Sequence, residues 1–382
     1  MSHFIARRHP RKQNKLFLAA PMPFERREFL KALAGAAALP FRVSNRSNPS
    51  QATEVDQLFD QSIVIDSLAV AHRWDEIEFG AIEESGYTGI QTSLPNWNKQ
   101  VALRALAEWN QRVKDHSDRL VKATRAADFQ RAKRQGKMAV VFGFQNSTMV
   151  EDTVDNLDVL YRLGTRCIQL TYNSRNLVGD GCTETTQAGL SEFGISVVER
   201  MNELGIIADL SHCGKGTTRD AIERSQQPPA FTHTMCEAIY NHHPRAKTDE
   251  QMKALSDKGG VIGIAALGYF VGKDPATNFE DYLNHVDHAV KVAGIDHVGL
   301  ATDFPIRGIQ PWATRENWYE PRLRSFKPSY NVRWPPWIPE LDEPRRFRNV
   351  AHGLDGRGYL TGEIEKILGR NWLSYFREVF GG

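Results

Sequence analysis

Short apolar runs alternate with amphipathic segments from residue 54 to about residue 300. Helical spacing of apolar residues is clearest over residues 101–117 and recurs over 153–163, 192–204, 215–225, 249–257 and 279–292. Eight runs between or beside these segments have the length and composition of β-strands: 63–66, 89–93, 138–144, 167–171, 206–210, 230–232, 261–265 and 298–301. Such alternation is typical of a parallel sheet covered by helices. The pattern predicts an α/β fold, a (β/α)₈ barrel of the TIM type, whose functional site lies at the carboxyl ends of its strands.

Residues 305–350 interrupt this alternation directly after the last predicted strand. The segment contains eight prolines and four of the eight tryptophans of the chain. A connection of this length is usually a functional loop or a disordered one, and the tryptophan content argues against disorder. We therefore expect an insertion at the mouth of the barrel that forms either a substrate lid or a subunit interface. An amphipathic helix over residues 361–380 is predicted to end the chain.

The first 53 residues differ in composition from the rest. Residues 1–50 carry ten basic and two acidic residues, whereas the chain as a whole has a net charge of only +2. Residues 54–382 are therefore mildly acidic, which excludes an extended nucleic-acid surface on the barrel. Arg26 and Arg27 precede a short apolar stretch, an arrangement that resembles a twin-arginine export signal followed by a linker. We expect a periplasmic protein, with an amphipathic N-terminal helix of a cytoplasmic protein as the alternative. The apolar stretch is too short to span a bilayer.

Two histidines lie at the ends of neighbouring apolar runs, His212 after residues 206–210 and His233 after residues 230–232. In a parallel barrel both strands deliver their imidazoles to the same rim, and two neutral imidazoles on rigid strands form a metal grip. No HExxH, GxSxG or GxGxxG motif is present, which argues against a zincin, a serine hydrolase and a dinucleotide enzyme. The four cysteines show no CxxC spacing and are interpreted as packing residues.

Several stretches around these histidines resemble the membrane (renal-type) dipeptidases, peptidase family M19 of the amidohydrolase superfamily. The similar stretches are Gly-Leu-Ser-Glu-Phe-Gly at 189–194, Asp-Leu-Ser-His at 209–212, Phe-Thr-His-Thr at 231–234, His-Pro-Arg at 243–245, Gly-Leu-Ala-Thr-Asp-Phe at 299–304 and Gly-Arg-Asn-Trp-Leu at 369–373. The resemblance covers roughly residues 58–305. It implies a (β/α)₈ barrel that binds two zinc ions, hydrolyses dipeptides and forms a homodimer.

The same resemblance assigns roles to individual residues. His212 and His233 match the two histidines that hold one zinc ion. Arg245 matches the arginine that binds the substrate carboxylate. His243, which stands beside Arg245 in the sequence, and Asn173 are further candidates for substrate binding that the resemblance does not itself assign. Asp303 matches the carboxylate that handles the proton of the attacking water.

Three family positions differ in this chain. Where the family's first strand carries a His-x-Asp pair of metal ligands, residues 66–70 read Asp-Ser-Leu-Ala-Val. Gln145 replaces the glutamate that bridges the two metal ions, and it is retained as a third ligand candidate. Tyr172 replaces a histidine that polarises the scissile carbonyl, and its hydroxyl can donate a hydrogen bond to an oxyanion. His72 and Asp75 are weighed as replacement ligands, against an interpretation as solvated loop residues.

These observations predict an exported, M19-like metallohydrolase that cleaves an amide bond in a dipeptide or a small peptide-like molecule. The altered ligand set predicts one zinc ion per chain rather than two. The alternative hypothesis is a non-hydrolytic barrel that binds or remodels a peptide-derived small molecule.

Overall fold

The computed structural model describes residues 53–70, 74–241, 243–272 and 276–381. The predicted export signal lies outside these ranges, and so does His72. Among the described residues, no helix has the length and apolar character needed to cross a membrane.

Eight parallel strands form the barrel, one for each predicted run. They are β1 (Ile65–Ala69), β2 (Gly89–Ser93), β3 (Met138–Phe144), β4 (Thr165–Gln169), β5 (Ile207–Asp209), β6 (Phe231–Cys236), β7 (Ile262–Ile264) and β8 (Val298–Leu300). Two further short strands, Leu120–Lys122 and Ala246–Lys247, pair in parallel with β3 and β6. The α/β barrel prediction is confirmed, with strand boundaries that differ by a few residues.

The strands pair as two sheets, β1 to β5 in sequential order and β6 to β8 in sequential order. At the two seams between them the backbone ladder is reduced to single parallel bridges, Ala69 with Phe304 and Asp209 with Ala230. A buried carboxylate reinforces each seam. Asp66 accepts hydrogen bonds from the backbone nitrogen of Thr302 at 3.0 Å and its hydroxyl at 2.6 Å. Asp209 accepts the equivalent pair from Thr232, at 3.1 and 2.7 Å. Side-chain hydrogen bonds therefore close the barrel at the two seams, where the strands share little backbone pairing.

Helices cover the outside of the barrel and begin at polar caps such as Ser191, Thr248 and Asn278. They are α1 (Glu54–Gln61), α2 (Glu76–Ser85), α3 (Lys99–Asp115), α4 (Ala126–Gln135), α5 (Asn156–Arg162), α6 (Glu192–Leu204), α7 (Lys215–Arg224), α8 (Asp249–Asp257), α9 (Gly268–Val271), α10 (Phe279–Ala293), α11 (Glu320–Ser325), α12 (Arg346–Gly356), α13 (Thr361–Glu365) and α14 (Asn371–Phe380).

The prediction of one continuous helix over residues 361–380 is wrong, because the helix is interrupted. A π-helical segment, Lys366–Arg370, separates α13 from α14, and Gly369 inside it has non-helical backbone angles. A Cβ atom on Gly369 would lie 2.4 Å from the carbonyl oxygen of Ile63. The bend brings α14 against residues of β1, β3 and β5, where Trp372 is fully buried in the same apolar cluster.

The insertion over residues 305–350 is built from short helical turns. Arg315–Tyr319 is π-helical and leads into α11, and Pro328–Tyr330 and Pro339–Leu341 are 3₁₀ turns. Trp318 and Tyr330 are buried, and Trp334 packs against Trp318 and Trp337. The hydroxyl of Tyr330 accepts a hydrogen bond from Arg245 beneath it, at 3.1 Å. The insertion therefore packs over Arg245, and the lid and interface alternatives both stay predictions.

Candidate active site

His212, which follows β5, and His233, in β6, meet at the centre of the site. Their Nε2 atoms are 3.1 Å apart, and both side chains are buried. The convergence follows from the fold, because the two strands are neighbours across the seam and run in the same direction.

The other ring nitrogen of each histidine has a defined partner. Nδ1 of His212 lies 2.7 Å from the amide oxygen of Asn173, which can only accept. Nδ1 of His233 lies 2.8 Å from the hydroxyl oxygen of Thr232, and that hydroxyl donates to the Asp209 carboxylate. These partners place the proton on Nδ1 in both rings and leave both Nε2 atoms unprotonated, as acceptors. Asn173 reaches this position with a left-handed backbone, φ 59°.

Arg245 fills the space beside the two rings. Its Nη1 atom is 2.7 Å from Nε2 of His212, its Nε donates to the carbonyl oxygen of Ser211 at 3.0 Å, and its Nη2 donates to the carbonyl oxygen of His233. Burial, together with the positive charge of Arg245, lowers the pKa of both imidazoles well below the usual histidine value. Both histidines are therefore neutral at physiological pH.

The donor set can be compared with what a zinc ion requires. Zinc would lie about 2.0–2.1 Å from each Nε2 atom, along the lone pair. On His212 that lone pair already accepts a hydrogen bond from Arg245. Across the described ranges no group of three His, Cys, Asp or Glu side chains could hold a metal ion. With Arg245 in this position, the residues do not fit a zinc ion.

The remaining ligand candidates do not supply a charged donor. Gln145 lies in the cavity wall, and its Oε1 atom has no hydrogen-bond partner within the described structure. At the first strand, Leu68 is buried and Val70 lines the cavity. Asp75 caps α2 by accepting from the backbone nitrogen of Glu78 at 2.9 Å, so it is a helix cap rather than a replacement ligand.

A cavity of about 240 Å³ opens above this centre, beneath the insertion. Asp303, directly after β8, and Tyr172, after β4, both line it. Burial raises the pKa of Asp303 to about 6, against the opposing positive charges of Arg245 and Arg322. Burial raises the pKa of Tyr172 to about 12, with the charge of Asp303 adding to the effect. The Tyr172 ring stacks on His212 with centroids 4.1 Å apart. The cavity thus presents a carboxylate that titrates near neutrality beside a protonated phenol.

Arg322 on α11 also lines this cavity, although no sequence motif identifies this residue. Its Nη1 atom donates to the carbonyl oxygen of Trp318 at 2.9 Å, and its guanidinium lies 3.9 Å from the centroid of the Trp318 ring. The insertion has several arginines of similar sequence context, and only the three-dimensional path of the lid distinguishes this one. The tryptophan pattern of the segment was the available signal.

The three predicted substrate-binding residues lie behind the cavity rather than in its wall. Arg245 and Asn173 surround the histidine pair as described. His243 is buried between the rings of Phe270 and Tyr330, each with its centroid 4.7 Å away, and its Nδ1 accepts from the backbone nitrogen of Arg245. In this arrangement all three residues pack against the histidine pair or against Arg245 and do not line the cavity.

A wider cavity of about 680 Å³ adjoins the lidded one and shares Ser93, Gln145 and Tyr172 with it. Trp97, Trp109 and other residues of the β2–α3 region line its far side. Together the two cavities extend from the insertion toward the β2–α3 region.

The comparisons with known proteins agree with this architecture. The family model of membrane dipeptidases, peptidase family M19, matches residues 73–314. The dipeptidase tcpJ of Claviceps purpurea is 30% identical over 267 residues, which are 69% of this chain and 56% of that protein. The chain spans about half the length of the curated relatives it matches.

Solved structures show the same fold. An amidohydrolase from Pseudomonas aeruginosa is 29% identical, with a TM-score of 0.77 over 86% of this chain and 100% of that one. The dipeptidase AC, described as a metallopeptidase of family M19, is 18% identical, with a TM-score of 0.69 over 84% of this chain and 99% of that one. The family match covers more than half of the present sequence. The chain belongs to the membrane dipeptidase family, peptidase family M19.

Proposed function

We propose that this chain is a dipeptidase-like hydrolase that cleaves an amide bond in a small peptide-like substrate bearing a free carboxylate. The observation that carries the proposal is the placement of Asp303, Tyr172 and Arg322 around one lidded cavity at the carboxyl ends of the strands. An acid–base group, a neutral hydrogen-bond donor and a cation are the groups that hydrolysis of such a substrate needs. The dipeptidase names of the relatives support the reaction class.

Arg322 is the group we assign to the substrate carboxylate. The family resemblance implies this role for Arg245, but that guanidinium is fully buried and donates to protein acceptors from Nε, Nη1 and Nη2. Arg322 is partly exposed and its planar fork can bind a carboxylate through two parallel hydrogen bonds. Because it belongs to the lid, binding of the carboxylate would also hold the lid closed.

Asp303 is the acid–base group of the proposed mechanism. Above its pKa of about 6 the ionised carboxylate accepts a proton from water as the water oxygen bonds to the amide carbon. Tyr172, protonated because its pKa is about 12, donates a hydrogen bond to the oxyanion that develops on the carbonyl oxygen. Asp303 then returns the proton to the leaving nitrogen as the carbon–nitrogen bond breaks. The products are a carboxylic acid and an amine, which ionise at neutral pH to a carboxylate and an ammonium group.

Family membership makes metal-dependent chemistry the general expectation, and the M19 dipeptidase AC is described as a metallopeptidase. Bound at this end of the barrel, a metal ion would supply an activated water. The single zinc ion predicted on His212, His233 and Gln145 is not proposed for this site, because the side chains as placed do not fit a zinc ion. Arg245 occupies the position that a metal ion bound to both histidines would take. The mechanism therefore includes no metal-dependent step.

A second candidate function is supported by one observation. Leu68, Val70 and Gln145 leave the site without the charged first-strand and bridging ligands expected by resemblance. A barrel altered in this way can bind or remodel a peptide-derived molecule without hydrolysing it. Both candidates use the same cavity and the same carboxylate contact, so they differ only in product formation.

The experiment is a substrate panel incubated with the full chain and followed by mass spectrometry. The panel pairs dipeptides and N-acylated amino acids with the same compounds capped as carboxamides. We expect cleavage of the free carboxylates, loss of about 10²-fold or more in kcat for Asp303→Asn, and a rise of about 10-fold or more in KM for Arg322→Met. Arg324→Met is the matched control, because Arg324 is largely exposed on the same helix and pairs with Glu320.

The outcomes separate the two candidates. Carboxylate-dependent binding that Arg322→Met removes, without any cleaved product, would favour the non-hydrolytic barrel. The assigned carboxylate contact would be refuted if free and capped compounds bind and react equally well, both with the wild-type protein and with Arg322→Met.

Two further expectations accompany the proposal. Export by a twin-arginine signal predicts that periplasmic protein begins after residue 40, which N-terminal sequencing of the mature chain tests. Dimerisation, expected from the resemblance, predicts a mass of twice 43.2 kDa less the signal in analytical ultracentrifugation.

A further inference from the structure

We infer that the guanidinium of Arg245 is the resident cation of this barrel, held where a zinc ion would otherwise join His212 and His233. The folded protein then binds no zinc at the histidine pair. The inference is independent of the proposed function, because metal binding can be measured without any substrate.

The histidine pair retains the geometry of a metal grip. Two imidazoles on a tetrahedral zinc ion place their nitrogens about 3.3 Å apart, given bonds of about 2.0–2.1 Å. The Nε2 atoms here are 3.1 Å apart, and each ring is anchored through Nδ1 by Asn173 or Thr232. The rings are therefore positioned as metal ligands, although a different cation approaches them.

Arg245 approaches along the lone pair that a metal would use. The 2.7 Å contact between its Nη1 and Nε2 of His212 is a full hydrogen bond, and an imidazole nitrogen has only one lone pair. A zinc ion bonded to the same nitrogen would lie within contact distance of a permanent positive charge. Occupation by the guanidinium and occupation by zinc are thus mutually exclusive.

Arg245 is held in this position by a set of acceptors from three parts of the chain. The carbonyl oxygens of Ser211 and His233 and the hydroxyl of Tyr330 accept its remaining contacts. Its side chain is fully buried, and a rotation away from the histidines would leave those acceptors unpaired. Displacement by zinc would therefore require the ion to compensate for several lost hydrogen bonds.

The charges around the centre do not favour an additional divalent cation, because Arg245 and the buried Lys247 already place positive charge near both histidines. Leu68 and Val70 are apolar and Gln145 is neutral, so the described part of the site offers no charged ligand in direct contact with the histidines. Asp209 is linked to His233 through Thr232, and Asp303 lines the cavity above. These carboxylates can balance a guanidinium, whereas zinc added to the guanidinium would exceed them in charge at close range.

The decisive measurement uses the wild-type chain. The protein is produced in zinc-supplemented medium, freed of any histidine tag, purified without chelators and analysed by elemental mass spectrometry, then titrated with zinc chloride in a calorimeter. We expect the zinc content at His212 and His233 to be at least 10-fold below one ion per chain. The titration should show no saturable zinc site that depends on these histidines. One zinc per chain that disappears in His233→Ala would overturn the inference. Zinc that persists unchanged in both His212→Ala and His233→Ala is bound elsewhere and leaves the inference standing.

A variant provides the converse test. Arg245→Met removes the charge, keeps much of the side-chain volume and exposes both Nε2 lone pairs. We expect it to gain at least 10-fold in zinc affinity over the wild-type chain, and to lose that gain when His233→Ala is added. If Arg245→Met folds, as judged by circular dichroism, and gains nothing, the guanidinium is not what excludes zinc. The wild-type measurement decides the question where the variant does not fold.

Discussion

Asp209 provides a direct test of how the barrel is closed. It lies at the seam between β5 and β6, where one backbone bridge joins the two sheets. Its carboxylate accepts four hydrogen bonds: from the backbone nitrogen and hydroxyl of Ser211 at 3.0 and 2.5 Å, and from the same groups of Thr232 at 3.1 and 2.7 Å. The substitution Asp209→Ala removes every one of these acceptors.

The size of the effect follows from the donors left behind. A buried donor without a partner costs about 1–3 kcal/mol, and such costs are not additive within one network. Burial raises the pKa of Asp209, so part of the loss is offset by relief from burying a charged carboxylate. We expect a net destabilisation of about 3 kcal/mol, which lowers the melting temperature by about 4 °C, since the unfolding entropy is about 2.1 cal/mol/K per residue.

Calorimetry and urea unfolding of the full chain measure this change. Asp66→Ala at the opposite seam is the matched variant, because its carboxylate accepts from Leu68 and twice from Thr302, and it should lose slightly less. Asp118→Ala is the control, since its side chain is 75% exposed, and it should change stability by less than about 0.5 kcal/mol. If Asp209→Ala stays within that same margin, carboxylate closure of the seam is refuted.

Three further predictions concern the site, a buried carboxylate and the core. Because the pKa of Asp303 is about 6, kcat/KM should rise with pH around a midpoint near 6 in initial-rate assays, and a flat profile would contradict its role as base. Burial raises the pKa of Glu78 to about 7 despite Arg307 at 3.6 Å, so its stabilising contribution is complete below about pH 4.5 and is lost as the pH rises through 7. Glu78→Gln should therefore raise the melting temperature more at pH 8 than at pH 5, and equal shifts would show that Glu78 does not titrate in this range. Trp372→Ala should cost about 3–5 kcal/mol in urea unfolding, whereas Trp97→Ala, at a side chain 70% exposed, should cost under about 0.5; similar losses would contradict the core assignment.

The barrel could be predicted because its signals are local and repeated. Residues 138–144 are apolar except for glycine and buried at every position, as a central parallel strand requires. Ser191 and Thr248 mark helix starts that the sequence shows directly. The break at Gly369 could not be predicted, because its cause is contact with Ile63, a residue more than 300 positions away.

The site was predictable in its position but less so in its contacts. His212 and His233 follow adjacent predicted strands in the sequence, and the carboxyl-end rule predicts that they come together, although in the structure His233 lies within β6. The direction in which Arg245 extends is set by acceptors on Ser211, His233 and Tyr330, which no local pattern reveals. Arg322 depends on the path of the lid, where the sequence predicts a function for the segment and not for any one residue.

The resemblance implies a single arginine, Arg245, at the site, whereas we propose different roles for Arg245 and Arg322. A guanidinium buried against neutral imidazoles cannot also reach into the cavity, so the carboxylate contact has to come from another element. In the proposed function Arg322 of the insertion makes that contact, and the same insertion contains Tyr330, whose hydroxyl accepts a hydrogen bond from Arg245. Tyr330 packs against Phe326, which lines the cavity together with Arg322. Both arginines therefore contact the same segment, and a displacement of Tyr330 would break one of the hydrogen bonds of Arg245 while those to Ser211 and His233 remain.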